Sequence, residues 1–148
     1  MPQQFGNKLR ARRGYTLVEQ TVVIAVVGII TAFAIRAMGQ ALDALAVHGA
    51  TRDVRDVFAT AREYAVAAGV RTAVQIDPGR GQLSAHAGID TVSIRPVALL
   101  HGVVLSTSRD SMAYSPSGLG YGASNLRIIV VRRSAADTIN VSRLGRVR

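Results

Sequence analysis

The chain has no cysteine and no tryptophan, one lysine among its 18 basic residues, and only 5% aromatic residues. The missing cysteine excludes disulfide frameworks, thiolate metal sites and a thiol nucleophile together. Charged residues are also scarce, at 18% against 49% hydrophobic, which excludes intrinsic disorder. With 148 residues there is room for one small domain. Acid is the scarcer sign. Nine carboxylates face 18 bases, 17 of them arginine, for a net charge of +9. Such a balance suits a polyanionic or membrane-surface partner and says nothing about fold.

What is abundant is apolar sequence near the N-terminus. Residues 1–14 are polar and basic, with Lys8, Arg10, Arg12 and Arg13 and no acid. From Tyr15 to Ile35 run 21 residues, YTLVEQTVVIAVVGIITAFAI, whose one charge is Glu19. As a helix this stretch is about 31 Å long, matching the hydrocarbon thickness of a bilayer. A domain of this size cannot surround it, so it is expected to span a membrane. Four positive charges precede it and Arg36 follows, which places Met1 in the cytoplasm and the rest of the chain outside. A rival scheme uses Ala32-Phe33-Ala34 as a signal-peptidase site and releases a soluble protein from Ile35 onward. Glu19 and the length of the run argue against it.

A carboxylate within an apolar span costs about 2.5–3.5 kcal/mol, so Glu19 needs hydration near the headgroups or a cation at its own depth. Cleavage after Gly14 would supply one, the amine of Tyr15, a helical turn away. These residues carry a resemblance. RRGYTLVE before an apolar stretch is similar to the class III signal of type IV pilins and type II secretion pseudopilins. The resemblance implies that a prepilin peptidase cuts between Gly14 and Tyr15 and that Tyr15 becomes N-methylated. It also implies that Glu19 registers the subunit among other pilins in a filament. The chain departs from the family pattern at Tyr15, where phenylalanine is usual, and at Gln20-Thr21, where leucines often follow the acid.

Beyond Arg36 a three-and-four spacing continues through Ile35, Met38, Leu42 and Leu45, then Val54, Val57, Phe58, Ala61, Tyr64, Ala65 and Ala68. It predicts one helix over 15–68, lipid-facing to residue 35 and amphipathic over 36–69, stopped by Gly69 and loosened at Gly39 and Gly49. The proline that often kinks this helix in major pilins is missing near Arg36, which weakens a resemblance to major pilins.

From Val70 the period becomes two. Strands are expected at 70–76, 83–87, 91–95, 103–107, 112–115, 126–133 and 138–142, with a turn at Asp77-Pro78-Gly79-Arg80-Gly81. The fold class is therefore α+β: a long N-terminal helix packed on one small antiparallel sheet over 70–148. ATAREYAVAAGVRTAVQIDPGRG, MAYSPSGLGYGASNLRIIVV and TINVSRLGRVR resemble segments of the GspH/FimT family of minor pseudopilins. That resemblance implies a type IV pilin-like subunit of a type II secretion or type IV pilus machine, embedded in the inner membrane with a periplasmic domain.

Candidate chemistry is thin. His48, His86 and His101 lack ligand spacing, so no metal is expected, and solvated histidines are the default. There is no G-x-S-x-G and no paired-carboxylate motif, and Gly118–Gly122 lacks the lysine and helix start of a phosphate cradle. No enzyme, cofactor or small-molecule substrate is expected. The basic C-terminus stands out. Residues 127–148 hold Arg127, Arg132, Arg133, Arg143, Arg146 and Arg148 against Asp137 alone, on an expected β-hairpin. Arginine favours bidentate phosphate contacts, so Arg132, Arg133, Arg143, Arg146 and Arg148 are candidate DNA-binding residues. The family resemblance adds a DNA-uptake role ending in Gly145-Arg146-Val147-Arg148. Tyr114 and Tyr121 are the nearby aromatics that could stack bases.

Overall fold

The computed structural model describes residues 15–121 and 125–148. The 1–14 leader and the Gly14 side of the expected cut lie outside the described residues, as does Gly122 of the glycine-rich loop. A 52-residue helix, α1 (Leu17–Ala68), opens the described chain. Contacts divide the chain at Ala37/Met38, so α1 contributes to two units that are described separately.

The first unit is helix alone. Thr16 and Glu19 form the sequence of a capping box, and the Thr16 hydroxyl accepts the Glu19 amide at 3.2 Å, satisfying an otherwise orphaned first-turn donor. Thr21 and Thr31 return their hydroxyls to the carbonyls of Val18 and Val27, each at 2.8 Å. Those bonds let two polar side chains sit among aliphatic neighbours without an unpaired donor. Every residue from Tyr15 to Ala37 is exposed. This is a helix long and apolar enough to cross a membrane, and none of its apolar window is buried within the protein. It fits a single membrane anchor.

The second unit packs the rest of α1 against two antiparallel sheets. Its strands are β1 (Thr72–Asp77), β2 (Gln82–Ala87), β3 (Asp90–Arg95), β4 (Val104–Thr107), β5 (Ser111–Tyr114), β6 (Gly120–Tyr121), β7 (Leu126–Arg132) and β8 (Ala135–Val141), with a short helix α2 (Val97–His101) after β3. One sheet runs β3-β2-β1-β5-β6 and the other β4-β7-β8. The single sheet expected from the sequence is corrected to two. The reason is pairing: β1 takes β2 on one side and β5 on the other, while β4 pairs with β7. Alternation within a strand says which face is buried, not which strand is the neighbour. α2 was not anticipated; five residues after a proline are too few to show a helical period.

Val54, Val57, Phe58, Ala61 and Ala65 of α1 join Val74, Leu83, Tyr114, Ile128, Val130, Ile139 and Val141 in one buried cluster that both sheets share. The helix face differs from expectation in its first turns. Met38, Leu42 and Leu45 are 57–67% exposed, and the buried line instead runs through Asp43, Val47, Ala50 and Thr51. Two adjacent lines satisfy a three-and-four spacing there, and the carboxylate of Asp43 disguised the one that packs. Gly69, at φ +66, ends the helix as expected. Gly49 does not loosen the helix, which runs unbroken through it. A Cβ on Gly49 would lie 2.8 Å from His101 Cε1, so the missing side chain makes room for α2.

The expected turn after β1 is present, with the Arg80 amide donating to Asp77 Oδ1 at 3.0 Å. The C-terminal segment is more than a hairpin. After β8 the chain turns at Ser142–Gly145 and returns beside β8, with Asn140 and Arg148 exchanging both backbone bonds at 2.9 Å. Tyr114 fixes this return by donating its hydroxyl to the Gly145 carbonyl at 3.1 Å. Burial pushes the Tyr114 phenol up to about 12, with the Arg62 guanidinium pulling the other way, so it stays a neutral donor.

Gly145 has φ +77, and a Cβ there would lie 2.5 Å from Tyr114 Cε1; Gly69 has a similar φ with open space around it. Gly69→Ala should therefore cost about 1 kcal/mol. Gly145→Ala, carrying strain plus a clash with a buried ring, should cost about 2–4 kcal/mol. Thermal unfolding of the full chain in detergent checks the order.

Candidate functional site

Two regions hold the residues singled out from the sequence. The first is the start of α1. Tyr15 is 76% exposed, just ahead of the helix, and Glu19 lies exposed in the first turn. Glu19 makes no ion pair among the described residues. The first-turn position suits a carboxylate, because the helix dipole is positive there. The capping role of Thr16 went unnoticed in the sequence, although T-x-x-E was its signal.

The second region is the arginine-rich end, and the structure separates its members. Arg132 and Arg133 sit at the β7–β8 turn, Arg133 with φ 49. Arg132 Nε lies 3.0 Å and Arg133 Nη1 3.4 Å from Oδ1 of Asp43, which is 5% exposed. Arg132 also donates to the His101 carbonyl at the end of α2. Beside it, His101 Nε2 is 2.8 Å from Asp53 Oδ2. Thr51 donates to Asp137 Oδ2 at 3.0 Å, so α1 is tied to β8 as well as to the β7–β8 turn. Asp43 is thus the acceptor around which α1, α2 and the β7–β8 turn meet, and Arg132 is occupied there.

The histidines also find partners. His86 Nε2 is 2.9 Å from the Ser84 hydroxyl, and His101 is part-buried against Asp53; solvation as a default is corrected for these two. No group of three histidine, aspartate or glutamate side chains among the described residues could hold a metal.

Arg143, Arg146 and Arg148 lie on the returning tail, exposed. Arg146 and Arg148 line a cleft of about 640 Å³ with Arg127, Ser108, Asn125 and Asn140, together with the apolar Leu126, Val141 and Leu144. On the other side of the tail they also line a groove of about 810 Å³ against α1. The two aromatics are not free for stacking: Tyr114 is buried, and the Arg71 guanidinium covers the Tyr121 ring 4.1 Å from its centroid.

No protein-family model matches the chain, and no curated protein matches its sequence. Solved structures do match. The type IV minor pilin FimU of Pseudomonas aeruginosa superposes with a TM-score of 0.60 at 12% identity, covering 69% of this chain and 86% of that one. A second crystal form of FimU gives 0.57 at 11% identity over 68% and 90% of the two chains. The fold is that of a type IV pilin. The minor pseudopilin EpsH of the Vibrio cholerae type 2 secretion system matches at a TM-score of 0.50 and 11% identity, over 69% of this chain and 94% of that chain. The long helix on antiparallel sheets is common to the comparison, and the likeness extends to fold alone.

Removing the Asp43 carboxylate leaves Arg132 without its counter-charge in a half-buried site. Asp43→Ala should lower stability by about 1–3 kcal/mol, whereas Arg133→Ala, whose partner contact is exposed, should cost under about 0.5 kcal/mol. Thermal melts of both variants in detergent check this difference.

Proposed function

We propose that the chain is a minor pilin or pseudopilin subunit of a type II secretion pseudopilus or a type IV pilus. A prepilin peptidase removes residues 1–14 after Gly14, and the new Tyr15 amine is N-methylated. The subunit waits in the inner membrane, N-terminus cytoplasmic and second unit periplasmic. It then passes from lipid into a filament with other pilins. The observation that carries this reading is a fully exposed apolar helix continuous with the helix that forms the core of a pilin-type fold. That helix needs lipid before assembly and neighbouring helices after it. Glu19 is the one charge within the apolar run, and in a filament it pairs with the Tyr15 amine of the next subunit.

The chemistry of the transfer follows from that pairing. Moving an aliphatic helix from lipid to a bundle of similar helices changes little apolar surface. The carboxylate–amine contact is what distinguishes the correct axial register from its neighbours. Losing one partner of a buried pair costs about 3–5 kcal/mol. Glu19→Ala should therefore leave cleavage intact, seen as the shorter species on an immunoblot. It should reduce incorporation into sheared filaments about a hundredfold or more. Normal incorporation of that variant would refute the pairing.

A second reading has its own support in the cleft where Arg127, Arg146 and Arg148 stand beside hydroxyl and amide groups that can meet phosphates, among the apolar Leu126, Val141 and Leu144. On this reading the tail holds DNA without sequence preference and serves its uptake. Arg146→Ala with Arg148→Ala should weaken binding to any duplex and lower the salt slope by about 0.9 for each lost contact. A gel shift across salt concentrations measures both, and an unchanged shift disposes of this reading.

A further inference from the structure

The groove on the α1 side of the returning tail differs from the cleft on its other side, which Ser108, Asn125 and Asn140 also line. Its exposed wall is aliphatic: Ala59, Val66 and Ala67 from α1, with half-buried Val147 opposite. Around that wall stand Arg55, Arg62, Arg146 and Arg148, with Glu63 as the one carboxylate lining it. None of these four arginines forms an ion pair among the described residues, whereas Arg80, Arg132 and Arg133 all do. An apolar strip ringed by unpaired cations fits an aliphatic side chain with a carboxylate next to it. A polynucleotide would gain nothing from the aliphatic wall.

The same chain carries that feature elsewhere. β2 and β3 are joined by a two-residue turn, Gly88–Ile89, with Gly88 at φ +64. Ile89 is 100% exposed at its tip, and the exposed Asp90 that follows makes no ion pair among the described residues. A fully solvated isoleucine on a tight hairpin has no role in the fold it belongs to. The two features lie toward opposite edges of the five-stranded sheet. The turn belongs to β2–β3, while the groove lies by Tyr114 of β5 and Gly145, which packs on Gly120 of β6. From β3 to β5 there are three strand spacings, about 14 Å, so a chain cannot fill its own groove with its own turn.

We propose that the Ile89–Asp90 turn of one copy docks into the Arg55–Arg62–Arg146–Arg148 groove of a second copy of this chain. Ile89 covers the aliphatic strip and Asp90 meets the arginines. Knob and groove are different surfaces, so the contact is heterologous and repeats head to tail, as an open helical assembly requires. This deepens the filament reading and rests on it.

The chain is free of cysteine, so engineered thiols report the contact alone. Two tagged full-length copies, one carrying Ile89→Cys and the other Ala59→Cys, are produced together in membranes bearing the assembly machinery and mildly oxidised. The 89–59 dimer is expected to exceed the 89–89 dimer, formed when both copies carry Ile89→Cys, at least tenfold. Adding Asp90→Arg to the first copy should abolish that excess, and Arg55→Glu with Arg62→Glu in the second copy should restore it. An 89–59 band no stronger than 89–89, or one indifferent to Asp90→Arg, overturns the proposal. Recovery of the chain in sheared filaments is scored in parallel. Filaments without the 89–59 link overturn this contact and leave the filament reading standing, and absence of both overturns the two together.

Discussion

The constraint on which the rest depends is an uncovered apolar surface. From Tyr15 to Ala37 the helix presents aliphatic side chains that none of the described residues buries. At about 25 cal/mol for each Å² of apolar surface left in water, such a segment has no stable state as a free helix. Lipid provides one cover and a bundle of like helices another. The few polar groups obey the same constraint. Thr21 and Thr31 satisfy themselves on the helix, and the Glu19 amide is capped by Thr16. Among the described residues the Glu19 carboxylate, with the Gln20 amide beside it, is left to be answered from outside.

The second unit turns the remaining half of that helix into a platform. Its buried residues Ala50, Phe58, Ala61 and Ala65 belong to the core that both sheets share. Polar ties then fix position where apolar packing is indifferent to sliding. Asp43 holds Arg132, Asp53 holds His101, and Thr51 holds Asp137. At the other end of the sheet Tyr114 pins the returning tail through Gly145. The consequence is a division among the arginines. Arg132 is spent on the interior, Arg133 shares its acceptor, and Arg146 and Arg148 stay exposed between a mixed cleft and an aliphatic groove.

Much of this was legible in the sequence because it follows from local rules. The apolar run, the stop at Gly69, the turn at Asp77–Gly81 and most strand positions are set by period and by glycine chemistry within a few residues. What escaped depends on residues distant in sequence. Asp43 reads as a solvent-facing carboxylate until Arg132, far along the chain, is brought to it. Gly49 reads as a weak point until the His101 ring is found against it. The split into two sheets and the burial of Tyr114 are likewise matters of partner choice. At the candidate sites, residue types at Glu19 and along the arginine-rich tail were evident from composition, but the sorting of arginines into tied and free was not.

The account stands most directly on where the mature chain begins. Intact-mass and N-terminal fragment spectra of the protein extracted from native membranes measure this. The account predicts a species starting at Tyr15, with the mass of one methyl group added to its amine. A chain starting at Met1, or at Ile35 after secretory processing, would contradict it, because Glu19 would then lack the cation that makes its place in the apolar run tolerable.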